Sequence, residues 1–196
     1  MAQSPVPVAP KYELKRQIMQ LVGRNFRVYD ANGQLVLFCH QKGFKLKEDL
    51  RVFRDEQQTQ EVMRIAARKI LDFSGFYDVF DSATGARIGV LRRMGWKSIL
   101  RDEWTVMDAN EQQIGQIVED NMLLALLRRF ATNLIPQNYD LLMNDGSRAV
   151  DLKQNFNPFT YRLTIDFTDD PQGRMDRRLA FAGAFLLAAI ERRQSG

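Results

Sequence analysis

The chain has 196 residues, a hydrophobic content of 45% and a formal net charge of +4 at pH 7. That length supports one large domain or two small ones, and the mild basic excess fits either an acidic partner or an ordinary solubility charge. One cysteine and one histidine exclude an intrachain disulfide and the usual zinc ligand sets, and they favour a reducing compartment.

The first ten residues, MAQSPVPVAP, have no charged n-region and no long apolar h-region, so we expect no signal peptide there. Their prolines and alanines predict a flexible lead-in over residues 1–10. No stretch of the sequence reaches the roughly 18 apolar residues of a spanning helix, so we expect no transmembrane span.

One repeated pattern predicts five β-hairpins. Aromatic or branched residues alternate with polar ones, a short polar turn follows, and a second alternating run returns. Asn-Gly, Asp-Gly and Thr-Gly supply the positive φ of tight turns, and we interpret Asp30, Asp81 and Asp108 as residues that hydrogen-bond the turn backbone. The predicted hairpins lie at 26–38, 52–65, 77–91, 104–118 and 139–152.

Further strands at residues 12–21 and 161–167 bring the predicted total to about twelve. So many antiparallel strands tend to close into a barrel or form a sandwich, because closure removes exposed edges. One interruption is helical: Asp120 or Asn121 can cap an amphipathic helix that runs to about Thr132. We expect this helix to cover an open end of the barrel, and its alternative role is contact with a membrane surface.

The C-terminal run 179–190, LAFAGAFLLAAI, has no polar side chain. A helix that is apolar all round is buried on every side. At about 1.5 Å per residue it spans only ~18 Å, whereas a bilayer core needs roughly 30 Å. We therefore predict a mostly β fold in one domain, residues 11–196. A closed antiparallel barrel encloses an apolar core helix at about 175–193, and the flanking arginines stay in solvent at the two mouths.

This arrangement resembles the tubby C-terminal-like superfamily, and within it the phospholipid scramblase and LURP-one-related branch. The resemblance is carried by the aromatic-x-Val-aromatic-Asp hairpins, by Gly89 and Gly115 after an isoleucine, and by a Tyr-x-Leu-x-Ile strand at 161–165 before an acidic loop and the apolar helix. It implies a twelve-stranded barrel around a C-terminal helix. Phosphoinositide binding is known in tubby-like relatives, but no residue match carries those sites over.

Two departures from the scramblases bear on function. Their segment before the final helix is proposed to bind calcium, whereas the carboxylates of residues 166–170 here lack the ligand spacing of a calcium loop. We interpret this segment as a solvated acidic loop. The cysteine cluster and the Pro-rich extension of animal scramblases are also missing, which weighs against scrambling and stable membrane anchorage.

Catalytic patterns are scarce. Cys39 and His40 are adjacent on a predicted strand and so face opposite ways, which argues against a nucleophile–base pair. No phosphate-binding loop follows a strand and opens a helix. We therefore expect a non-enzyme without a cofactor or metal.

One connection between hairpins has the composition of an anion site. Four cations flank a tryptophan, a combination that suits a phospholipid head group or a nucleic-acid phosphate. The alternative is a solvated loop with the tryptophan tucked into the barrel rim. The candidate ligand-binding residues are Arg92, Arg93, Trp96, Lys97 and Arg101.

The leading hypothesis is a cytoplasmic, non-catalytic binding or interaction module, peripheral at a membrane, that recognises anionic phospholipid or a protein partner. The alternatives are a scramblase-like protein with residues 179–190 in the bilayer and a hollow barrel carrying a small apolar ligand. A nucleic-acid partner is the weakest option. The ligand's identity and the oligomeric state do not follow from the sequence.

Overall fold

The computed structural model describes residues 8–17, 24–41, 49–68, 75–94, 103–119, 137–155, 157 and 159–190. Twelve strands form one closed antiparallel barrel in which each strand pairs with its neighbours in sequence and the first pairs with the last. This confirms the predicted fold class. The predicted helix after Asp120 lies outside the described residues.

The strands are β1 (Lys11–Gln17), β2 (Arg24–Asp30), β3 (Leu35–Gln41), β4 (Leu50–Phe53), β5 (Glu61–Ala67), β6 (Phe76–Asp81), β7 (Arg87–Arg93), β8 (Trp104–Asp108), β9 (Gln113–Glu119), β10 (Asn138–Met143), β11 (Arg148–Asn155) and β12 (Thr160–Asp166), and the C-terminal helix is α1 (Arg177–Ile190).

The apolar helix fills the barrel. Every residue from Leu179 to Ala189 is buried, and the rings of Phe181 and Phe185 are fully enclosed. Phe185 meets Phe26 edge-on with ring centroids 6.1 Å apart, and Phe181 meets Tyr12 at 5.1 Å. The inward side of each strand therefore packs on the helix rather than on another sheet.

Close packing accounts for three glycines. A Cβ on Gly183 of α1 would lie 2.6 Å from the Ile117 side chain. A Cβ on Gly89 would lie 2.4 Å from the backbone oxygen of the neighbouring strand, and the same holds at Gly115. Such distances are far below van der Waals contact, so these strand glycines, which carry the family resemblance, let adjacent backbones approach.

Each of the five hairpins contains a shift of register just before its turn. A bulge adds twist and bend to a strand, and repeating it around the sheet helps the sheet to close. The shifts fall between Val28 and Tyr29, Val52 and Phe53, Val79 and Phe80, Val106 and Met107, and Leu141 and Leu142.

The two ends of the barrel differ. We call the end with the five tight turns the hairpin end; β1 and α1 begin there. The far end is made of the three residues of each strand most distant from those turns, together with the described residues that flank them. α1 finishes at the far end, where the Arg24 guanidinium donates a hydrogen bond to the Ala189 carbonyl at 2.6 Å. A cation suits this position because the carbonyl end of a helix is partly negative.

The arginines before the helix are half-buried and bonded at the hairpin end, rather than left free in solvent as expected. Arg178 forms ion pairs of 2.6 Å with both Asp81 and Asp176. Arg177 donates to the Ala9 carbonyl and lies 4.4 Å over the Phe167 ring. These bonds seal the hairpin end, because an apolar helix that enters there would otherwise be wetted. Arg192 and Arg193 lie outside the described residues.

The lead-in joins this seal. The Pro10 carbonyl accepts a hydrogen bond of 2.7 Å from the Phe167 amide, and the Ala9 amide donates to the Tyr12 hydroxyl. The predicted flexible segment 1–10 is thus fastened at its last residues, and residues 1–7 lie outside the described part. Within that part of the chain, no helix has the length and apolar character needed to cross a bilayer.

Phe185→Asp should abolish cooperative unfolding, because the barrel would have to bury an unpaired carboxylate at a fully enclosed position. Burying such a charge costs several kcal/mol, which is comparable with the total stability of about 5–15 kcal/mol of a domain. Thermal unfolding followed by circular dichroism checks this. Phe159→Asp is the matched control, since Phe159 is 72% exposed and should tolerate the same change. A cooperative transition in Phe185→Asp at the wild-type temperature would contradict the threaded helix.

Candidate functional site

Charge is unevenly distributed along the barrel axis. At the far end, nine described residues are Lys or Arg and five are Asp or Glu, whereas the remaining described residues comprise nine cations and fourteen carboxylates. The far-end cations are Lys15, Arg16, Arg24, Arg51, Arg68, Arg92, Arg93, Lys153 and Arg162, and the carboxylates are Asp49, Asp78, Glu103, Glu119 and Asp140.

Turn chemistry explains the acidic hairpin end. Asp30 accepts hydrogen bonds from the amides of Asn32 and Gln34, and Asp81 and Asp108 bind the amides of their own turns in the same way. This confirms their predicted role as hairpin-forming residues. Tight turns of this kind favour Asp, so their carboxylates gather where the turns lie. Turn formation does not explain the cations at the far end. We therefore take the far end as the candidate functional surface.

The structure separates the two described members of the predicted anion site. The Arg92 guanidinium stacks on the outer ring of Phe76 at 4.9 Å. Arg93 is in register with the buried Trp104, so it faces the barrel interior. Adjacent strand residues point to opposite faces, and these two cations therefore reach a single ligand only from above the rim. Trp96, Lys97 and Arg101 lie outside the described residues, and the site remains a prediction.

Arg92 differs from the cations beside it. Arg68 hydrogen-bonds Asp78 and Glu111 on the same outer face, and Arg87 joins both carboxylates. The bonds to Asp78 and Glu111 raise the pKa of Arg68. Burial alone would raise the pKa of Asp78, but its bonds with the two arginines outweigh burial and lower it. This network is internally neutralised.

In contrast, Arg92 has no carboxylate partner within the described residues, and its Nε is buried without a hydrogen-bond partner there.

A second basic feature, which the sequence reading missed, crosses the outer face of three strands. Lys15 of β1 is directly opposite Arg162 of β12 on one side and Arg27 of β2 on the other. Like charges in direct cross-strand register are unfavourable. Glu56 neutralises Arg27 at 2.7 Å, but Glu13 is shared, 2.9 Å from Lys15 and 3.8 Å from Arg162. Only the register of the closed sheet brings these residues together, so no local pattern could have identified them.

The interior of the far end is polar as well. Arg16, Gln41 and Glu119 are buried there, and Arg16 lies 5.1 Å over the Tyr161 ring. The neighbouring Tyr139 hydroxyl donates to Gln137 at 2.8 Å. These groups form the transition between the apolar core and the rim.

The candidate nucleophile is inert in this fold. Cys39 is fully enclosed against the core, and burial raises the pKa of its thiol. His40 faces the other way, with its Nδ1 2.6 Å from the Asn25 side-chain oxygen. The expected separation of the two side chains is therefore confirmed.

The acidic loop is tied down and only partly solvated, which corrects one expectation. Asp170 is buried and accepts hydrogen bonds from the amides of Arg174 and Met175, just before α1. Asp166 pairs with Lys11 at 2.8 Å and Asp169 with Arg148 at 2.8 Å. Asp170 thus holds the turn of the loop itself, while Asp166 and Asp169 fasten the loop to β1 and β11. In the described ranges, no group of three or more His, Cys, Asp or Glu residues could hold a metal ion.

Comparison with protein families gives one result. The model of a family described as LURP-one-related matches residues 35–187, well over half of the chain. No curated protein matches the chain.

Asp81→Asn should destabilise the protein by about 1–2 kcal/mol at pH 7, the order expected for a hydrogen bond to a charged group. Asparagine still accepts from the turn amides but no longer pairs with Arg178. Burial alone would raise the pKa of Asp81, but the turn hydrogen bonds and the charge of Arg178 outweigh burial and lower it. The stability that ionised Asp81 contributes is therefore present above about pH 4 and is lost as the pH falls through its lower folded pKa. The difference in unfolding free energy between the wild-type protein and Asp81→Asn should therefore become smaller as the pH is lowered.

Urea unfolding at pH 7 and pH 3 measures this difference. Asp30→Asn is the matched control, because Asp30 makes the same turn bonds but has no ion pair among the described residues. Equal losses in the two variants would show that the Arg178 contact adds nothing.

Proposed function

The chain belongs to the LURP-one-related family, within the tubby-like C-terminal superfamily, and on this basis we propose that it is a non-catalytic binding module that recognises anionic phospholipid at a membrane surface. In this proposal the protein is cytoplasmic and associates peripherally with the bilayer.

The excess of cations at the far end is the observation that carries the proposal. A Lys or Arg near an anionic leaflet contributes about 1 kcal/mol, and the attraction falls off within a Debye length of the surface. The hairpin end carries the opposite excess, so an anionic surface orients the barrel as well as attracting it. Net charge alone, at +4, would not provide this preference for one end.

Arg92 is the described residue best placed to bind a head group. Its guanidinium lies 4.9 Å over the Phe76 ring, and its Nε has no hydrogen-bond partner in the described ranges. A planar guanidinium suits a phosphate, to which it donates two parallel hydrogen bonds. In the sequence, Trp96, Lys97 and Arg101 extend the same connection, and the proposed site comprises these residues with Arg92 and Arg93.

The packed interior weighs against the other two hypotheses. A carrier of an apolar ligand needs an open cavity, whereas α1 occupies the barrel and is itself enclosed. A protein inserted through residues 179–190 needs that segment in lipid, whereas the barrel already surrounds it. The inert environment of Cys39 supports the non-catalytic part of the proposal.

Flotation with liposomes tests the proposal. The protein should float with phosphatidylcholine vesicles that contain phosphatidylserine, should stay behind with phosphatidylcholine alone, and should bind less as salt is raised. Arg92→Gln should weaken anionic binding about fivefold, which corresponds to the loss of one surface cation.

Arg64→Gln is the matched control for Arg92→Gln. Arg64 also stacks on an outer phenylalanine at 4.9 Å, but it also pairs with Asp49 at 3.8 Å. Its loss should leave flotation nearly unchanged. Equal flotation of the wild-type protein with neutral and anionic vesicles, or none with either, would exclude anionic-lipid recognition. Salt-sensitive binding to DNA without vesicle binding would favour nucleic acid instead.

A further inference from the structure

Two exposed apolar side chains belong to the basic end of the barrel. In the described ranges the large apolar residues that remain exposed are Val8 at 79%, Met94 at 42% and Phe159 at 72%. Val8 precedes β1 at the hairpin end, while Met94 and Phe159 flank strands at the far end. Single exposed apolar residues are common, so the inference depends on what surrounds these two.

Phe159 is presented by an ordered turn. The amides of Phe159 and Thr160 both donate hydrogen bonds of 2.9 Å to the side-chain oxygen of Asn157. The turn fixes the backbone that carries the ring, directly before β12 begins. The exposed ring therefore projects from a backbone that is held by hydrogen bonds.

Two cations, Arg162 and Lys15, lie further along the barrel from the Phe159 ring, towards the hairpin end. Arg162 is three residues further along the chain, roughly 10 Å at the rise of a strand, and it lies opposite Lys15 with one carboxylate, Glu13, between them. The Arg162 Nε is buried and has no hydrogen-bond partner in the described part of the chain. An apolar tip with under-neutralised cations behind it matches a bilayer, whose apolar interior lies below a layer of head-group phosphates.

Met94 marks the opposite side of the same rim. It follows β7, next to Arg92 and Arg93, and β7 is five strands from β12 in the order of the closed sheet. With strands about 4.8 Å apart and tilted in a twelve-stranded barrel, these two points are separated by roughly 20 Å. An extended surface such as a bilayer is wide enough to contact both points, whereas a short peptide would reach one of them.

We infer that the far end is a membrane-insertion surface on which the barrel stands upright, with the Phe159 ring entering the bilayer interface and Lys15 and Arg162 meeting the head-group phosphates. This inference rests on the proposed function and adds to it the contacting residues and the orientation. The hairpin end, with its carboxylates and Val8, then points away from the membrane.

A fluorescent label at position 159 tests the insertion directly. The only native cysteine, Cys39, is fully buried, so Phe159→Cys can be labelled selectively with an environment-sensitive dye such as NBD. On phosphatidylserine-containing vesicles its emission should shift to the blue and should be quenched by doxyl groups on the acyl chains. The matched control is Val8→Cys, exposed to a similar degree at the other end, and its label should not respond.

The outcomes separate this inference from the proposed function. If the wild-type protein floats with anionic vesicles but the label at 159 does not respond, the orientation is wrong and lipid recognition stands. A response at position 8 instead of 159 would reverse the orientation. A blue shift without vesicles that grows with protein concentration would show that Phe159 contacts a second copy, and it would overturn the inference. If the wild-type protein floats with no vesicle, both the proposed lipid recognition and the insertion surface are excluded.

Substitutions test the energetic contributions. Phe159→Ser should weaken binding to anionic vesicles about tenfold, in line with the loss of a largely inserted ring, while Val8→Ser should not. Lys15→Gln should weaken it about fivefold. Lys11→Gln is its matched control, because both lysines lie on the outer face of β1 and pair with a carboxylate, but Lys11 lies at the hairpin end. Equal losses for Lys11 and Lys15 would show attraction without orientation and would overturn the upright arrangement.

Discussion

An α-helix without a polar face has to be enclosed, and in this protein that requirement governs the rest of the structure. α1 offers apolar side chains in every direction, so one covering sheet would leave part of it in water. A closed sheet covers all sides at once and also removes the exposed strand edges of an all-β domain. Close packing then requires Gly183, where the helix meets a strand side chain, and Gly89 and Gly115, where adjacent strand backbones approach too closely for a side chain. The core is therefore a helix-in-barrel contact.

Enclosure leaves two mouths to be closed, and the two are closed by different chemistry. At the hairpin end, Arg177 and Arg178 bind the lead-in and the carboxylates of Asp81 and Asp176, so the entry of the helix is sealed by ion pairs. At the far end, Arg24 donates to the Ala189 carbonyl in the last turn of α1. Since tight turns gather Asp at one end, the meander topology itself separates the charges of a chain whose overall charge is modest.

Local sequence patterns predicted much of this fold. Alternation and turn residues located the hairpins, and the apolar run located the helix, because both signals depend on near neighbours in the chain. The bulges were invisible, since a register shift shows only against the partner strand. The same limit applied to Arg178, which pairs with Asp81 across 97 residues, and to Lys15 and Arg162, which meet only when the barrel closes. The predicted basic connection could be recognised from composition, but the opposite facing of Arg92 and Arg93 follows from the strand they share.

A filled barrel restricts where binding can occur. The inner faces of the strands are used by the helix, and closure leaves no edge to which another strand could add. Many charged side chains on the outer face of the barrel form ion pairs, such as Arg68 with Asp78. What remains is the far end, where the described cations outnumber the described carboxylates and two apolar side chains stay exposed. Because the helix fills the core, the strands that carry these charges and rings are packed from the inside. An anionic bilayer, the partner proposed for this end, can contact its cations and its exposed apolar side chains together.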